Sequence, residues 1–68
     1  MIRVTSMKLN DVTKHATVSL FADTKEEVTS DATIVGLPAN TTIEQGSNVI
    51  TADGEVAFMK SDGSWNWV

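Results

Sequence analysis

The stretch Gly46-Ser-Asn-Val-Ile-Thr-Ala-Asp-Gly-Glu-Val-Ala-Phe-Met-Lys-Ser-Asp-Gly-Ser-Trp-Asn-Trp-Val68 decides the fold. Two Asp-Gly pairs, Asp53-Gly54 and Asp62-Gly63, cut it into short apolar-rich runs. Asp-Gly is favoured where a hairpin turn needs a positive φ. The stretch therefore predicts a β-meander, with strands over residues 49–51, 55–60 and 64–68. In the middle strand Val56 and Phe58 share one face, and Ala57 and Met59 share the other, because alternate side chains point to opposite sides. Both faces are apolar, whereas an isolated antiparallel sheet usually leaves a polar face to water. Cover from a second chain is the expectation. In the last strand Trp65 and Trp67 point one way, and Asn66 and Val68 the other.

The rest of the chain agrees with that start. Over residues 15–22, Ala16, Val18, Leu20 and Ala22 alternate with His15, Thr17, Ser19 and Phe21, a period of two with one apolar face. Phe21 interrupts the polar face, so that end of the strand is expected to be covered. Residues 2–9 are also β-like, but the phase slips near Ser6, the mark of either a bulge or a frayed start. Asn10-Asp11 is a turn signal. Thr24 and Glu27 have the spacing of a capping box. They predict a single helical turn near residues 24–28, stopped by Thr29, Ser30 and Asp31. A short β-like run over residues 33–37 ends at Pro38, which cannot donate to a ladder. Thr42-Ile43 reads as a short extended piece. Nine Thr and six Ser beside Val and Ile favour strands over helices. The expected fold is one all-β domain over residues 1–68. It is mainly antiparallel, a small β-meander sandwich or barrel with at most one short helical turn.

Size and charge narrow the function. A chain of 68 residues buries a modest core and usually needs a staple. It has no cysteine, and His15 is its only imidazole, so disulfides and a structural zinc are not expected. Oligomerisation is the remaining source of buried area. The net charge of -4 argues against nucleic acid, which needs a basic face. It argues equally against a polybasic membrane-surface module. No apolar run approaches the ~20 residues of a membrane span. The first residues lack the basic start and apolar stretch of a signal peptide. The lack of cysteine fits a reducing compartment.

Candidate chemistry is sparse. His15 has the right side chain for a general base, but no residue is fixed beside it as a nucleophile, and it reads as a solvent-facing strand residue. Asp23, Glu26, Glu27 and Asp31 are acidic neighbours without the spacing of a calcium loop, and read as a solvated turn. Asp53-Gly54 and Asp62-Gly63 read as turns, not metal ligands. Asn40-Thr41-Thr42 matches the glycosylation pattern, a short pattern frequent by chance. No catalytic residue, metal ligand or cofactor-binding residue is expected. Trp65 and Trp67 stand out. Two indoles on one strand face can fill a core, anchor a protein interface or stack on sugar rings. Burial in the fold or its own oligomer is the favoured reading. Val56, Phe58 and Met59 join them as the candidate interface or ligand-stacking residues.

Residues 21–28 (Phe-Ala-Asp-Thr-Lys-Glu-Glu-Val), 33–38 (Thr-Ile-Val-Gly-Leu-Pro) and the ending from Gly46-Ser47 to Lys60-Ser61-Asp62-Gly63-Ser64-Trp65-Asn66-Trp67 look familiar together. They resemble small virion accessory proteins of tailed phages and prophages of Gram-positive bacteria, of the head-fibre, decoration or tail-associated type. The resemblance covers roughly residues 21–68, and its motifs are turns and a tryptophan rather than a catalytic signature. It implies a non-enzymatic structural protein, made in the host cytoplasm and carried on the phage particle. Such a protein would be a homo-oligomer, such as a trimer, attached to a capsid or tail protein. The alternative is a module binding carbohydrate or the cell surface through Trp65 and Trp67. A small effector directed at a host protein is a third reading.

Overall fold

A computed structural model describes residues 1–29 and 31–68. Seven strands follow one another: β1 Ile2–Asn10, β2 His15–Ala22, β3 Ile34–Val35, β4 Thr42–Ile43, β5 Asn48–Thr51, β6 Val56–Met59 and β7 Trp65–Trp67. The fold is all-β and mainly antiparallel, as the sequence predicts, and the described residues contain no helix.

The long arms are a hairpin. β1 and β2 pair antiparallel from Ile2↔Ala22 to Asn10↔His15, and the register slips between Val4 and Ser6. Of the two readings of the slip near Ser6, the bulge holds, and it sits at Thr5. The connecting turn is held by Asn10, whose side-chain oxygen accepts the N–H groups of Val12 and Thr13. Lys14 closes it at a φ of 60°.

The C-terminal meander also forms, as β5, β6 and β7 pair antiparallel in order. Its two turns are copies of each other. Thr51 N–H donates to Glu55 C=O at 2.9 Å, and Gly54 N–H to Thr51 C=O at 3.0 Å. Lys60, Gly63 and Ser64 repeat this with bonds of 2.8 and 3.1 Å. Gly54 and Gly63 sit at φ of 90° and 86°, the left-handed position of a three-residue hairpin loop with a glycine bulge. The Asp-Gly pairs are plain turn chemistry.

The two antiparallel units are joined by parallel pairing. β5 lies beside β2 from Ser19↔Asn48 to Ala22↔Thr51. β4 lies beside the other end of β2, and β3 beside the start of β1. The strand path is β3-β1-β2-β5-β6-β7, with β4 also on β2. This is one continuous sheet rather than a sandwich, and it does not close into a barrel. Its end strands are short. β3 is two residues long and runs into Gly36, at a φ of 92°, and then Pro38. β7 is three residues long.

The helical turn reduces to a single turn in which Val28 N–H donates to Lys25 C=O at 3.1 Å. The capping box is displaced by one residue. Glu27 accepts the N–H of Asp23 at 2.9 Å, not that of Thr24, and also binds the Met1 amine. Ser30, part of the expected stop, lies outside the described residues.

The core is one face of the sheet under the connection from β2 to β5. Ile2, Ala16, Val18, Leu20, Ala22, Val49 and Ala57 form it, with Trp65, Trp67, Ile34 and Leu37 packed at its margin. Three of its seven fully buried side chains are alanines, so the apolar area it removes from water is small.

Candidate functional site

Cross-strand partners share a face, and this settles where each candidate residue points. Trp67 is opposite Ala57, and Trp65 is opposite Met59. Ala57 and Met59 are buried, so both indoles face inward, half-buried. Ile50 is opposite Val56, and Asn48 opposite Phe58, so Val56 and Phe58 lie on the outer face. The expectation that both faces of β6 are covered holds within one chain for the inner face only. Ile50 is 44% exposed and Phe58 48% exposed. Phe21, opposite Ile50 on β2, extends this patch. Arg3 stacks its guanidinium 5.2 Å above the Phe21 ring, which is the cover that the sequence predicts for that end of β2.

The inner face of β6 and β7 forms one wall of a cleft of about 600 Å³. Trp65, Trp67 and Met59 face Ile34, Leu37 and Ile43 across it. Since β3 and β7 are the two ends of the strand path, the cleft is the seam at which the sheet fails to close. Lys25 Nζ lies 5.0 Å above the Trp67 ring, a cation–π contact, and 3.9 Å from Glu55.

Hydroxyls are the polar groups in this wall. Thr29 donates to Asp31 and Ser64 to Asp62, at 2.8 and 2.7 Å. Thr41 Oγ1 is buried without a protein hydrogen-bond partner, the one such side-chain atom among the described residues. Among the described residues no side-chain carboxylate, amide or guanidinium lines the cleft. A sugar ring needs such groups, because each hydroxyl it buries must be paired. The wall suits apolar side chains better than a glycan.

His15 Nδ1 is 3.9 Å from Glu44, while the Thr17 hydroxyl donates to Glu44 at 3.1 Å and not to the imidazole. That is no nucleophile–base pair. Asp23 and Glu27 both bind the Met1 amine, at 2.9 and 2.7 Å. The amine's hydrogen bond holds Glu27 below the usual carboxylate range. Asp62 is likewise held low, first by the Ser64 hydroxyl and then by the Ser64 N–H. Among the described residues no three His, Asp or Glu side chains gather as a metal site. Asn40 stands exposed at a φ of 62°, a conformation asparagine tolerates.

Sequence reasoning passed over Ser47, which is fully buried. β4 and β5 both run along β2, and the chain leaves β2 between them. At that gap the Ser47 hydroxyl accepts the Val18 N–H at 3.0 Å, in place of a ladder carbonyl. Its own C=O accepts the Met59 N–H at 2.9 Å, so one residue ties β2 to β6. Gly46 before it sits at a φ of 100°.

No family model, curated protein or solved structure matches the chain. The site is therefore read on its own geometry: an open apolar face on one side of the sheet, and an indole-lined seam on the other.

Proposed function

We propose that this protein is a non-enzymatic phage or prophage virion accessory protein. It acts as a homo-oligomeric β-module, such as a trimer, that attaches to a capsid or tail partner. The observation that carries this reading is the open outer face, where Phe21, Ile50, Val56 and Phe58 lie side by side on adjacent strands. The occupant is a second copy of the chain. The core has few large side chains, and a chain this short gains most from burying further apolar area against itself. Closed symmetry then limits the number of copies.

The phage setting rests on the resemblance of residues 21–68, with its Lys60-Ser-Asp-Gly-Ser-Trp65 close. The test is native mass measurement over a range of concentrations, with Phe58→Ser and Ile50→Ser beside the parent. A discrete oligomer that both substitutions disperse is expected. A strict monomer at high concentration overturns the reading.

A further inference from the structure

The seam between β3 and β7 has the features of a strand-acceptor site. The backbone pattern of β7 shows why. Lys60 N–H donates to Ser64 C=O, and Val68 N–H to Val56 C=O. Even-numbered residues of β7 therefore bond to β6, because successive residues of a strand turn their backbone groups to opposite sides. The N–H and C=O groups of Trp65 and Trp67 point away from β6. β7 ends the strand path, and no backbone bond to these groups is made from outside it among the described residues. Their indoles line the cleft. A ladder edge and an apolar cleft thus lie side by side, with the unpartnered Thr41 hydroxyl in the far wall.

The free edge of the longest strand, β1, is protected. β1 pairs with β3 only through Ile2 and Arg3. Beyond that it carries a bulge at Thr5 and then Lys8, two devices that keep strands from adding to an edge. β7, reading Trp-Asn-Trp, carries no bulge, proline or lysine.

We infer that β7 accepts an extended segment of another polypeptide as an added strand. Backbone bonds to Trp65 and Trp67 fix it, and alternate apolar side chains enter the cleft. The cleft's volume is that of a small-ligand pocket, room for a few such side chains. A free apolar molecule would fill the cleft but leave the edge unpaired. A glycan would meet too few polar groups. This inference rests on the attachment reading above and names the form the attaching segment takes.

The probe is a seven-residue synthetic peptide with Val and Leu at alternate positions and Thr and Lys between them. Trp65 and Trp67 are the only tryptophans, so emission reports on the cleft directly. Amide exchange at Trp65 and Trp67 reports on the edge. The peptide is expected to shift emission to the blue and to slow exchange at both amides about tenfold or more. Methylating the peptide's alternate amide nitrogens, in the register that faces β7, should abolish both effects.

An emission shift without amide protection overturns the inference in favour of a small apolar ligand. A shift produced by chito-oligosaccharide and not by peptide overturns it in favour of a glycan. Protection already present without peptide and lost on dilution overturns it in favour of a second copy on this edge. No response to the peptide overturns it outright. A discrete oligomer with an unresponsive edge leaves the proposed function standing, whereas a monomer with a responsive edge removes the oligomer and keeps the acceptor site.

Discussion

The two faces of β6 are equally apolar and have opposite fates. Ala57 and Met59 are buried, while on the other face Phe58 is exposed and Val56 partly so. Hydrophobicity does not separate them. What separates them is the chain opposite. The connection from β2 to β5 lays Val28, Ala32, Ile34 and Leu37 against the inner face, whereas Ile50 and Phe58 on the outer one stay about half exposed. Burial is thus decided by topology, not by the strand that is buried. The inner face carries the stability of the fold, and the outer face is the one proposed to associate.

The largest break in this comparison comes from the inner face. Leu20 is buried in the core, and Leu20→Ala should cost about 2–5 kcal/mol. A domain of this size has roughly 3–10 kcal/mol in total, so the variant should be largely unfolded by circular dichroism at room temperature. Next is Ser47→Ala. It leaves the buried Val18 N–H without its acceptor and should cost about 1–3 kcal/mol. The loss should appear as a lower urea midpoint with an unchanged slope. A silent Ser47→Ala would mean that Val18 finds another partner and that Ser47 does not tie β2 to β6.

Thr41→Val sharpens the comparison from the seam. It replaces a buried hydroxyl that has no protein partner with an isosteric methyl. The free protein should gain up to about 1 kcal/mol, because an unpaired buried polar group is removed. A clear loss would show that the hydroxyl is satisfied in the free protein and would weaken the case for an acceptor cleft.

Much of this was legible in the sequence. The alternation of residues 15–22 located β2, the slip near Ser6 located the bulge, and the Asp-Gly pairs located both turns of the meander. The parallel pairings were not legible. Local patterns report a strand's period and its turns, whereas β2 meets β5 only after a connection of some two dozen residues whose path depends on what it buries. The same gap explains the two faces of β6. Their apolar pattern is visible in the sequence, but which of them the connection covers is not. It also explains Ser47, since a serine in a polar stretch gives no sign that it will cap a buried N–H across the sheet.

A smaller effect is expected at the acidic end of the pH scale. The folded state lowers the pKa of Glu27 through the Met1 amine and that of Asp62 through Ser64. A depressed carboxylate pKa adds stability above the unfolded value, and that stability is lost as pH falls through the folded one. Melting temperature should therefore drop between about pH 5 and about pH 2. In Ser64→Ala the Asp62 titration, followed by NMR, should move up toward the ordinary aspartate range. An unmoved midpoint would show that the turn backbone, not the hydroxyl, sets it.

The smallest effect on stability belongs to the outer face. Phe58 is about half exposed, and its cross-strand partner is Asn48. In a dilute monomer Phe58→Ser should change stability by no more than about 0.5 kcal/mol, the range of surface substitutions. At high concentration the same variant should lose the oligomer, because a large apolar side chain at the centre of an interface carries a disproportionate share of its energy. The comparison therefore rests on one substitution read at two concentrations. If Phe58→Ser destabilises the dilute protein as much as an inner-face change does, the outer face is part of the monomer's own fold. If it does nothing at either concentration, the open patch is not where copies meet. A melting curve that loses its concentration dependence in Phe58→Ser alone would tie the second face of β6 to association and leave the first to the fold.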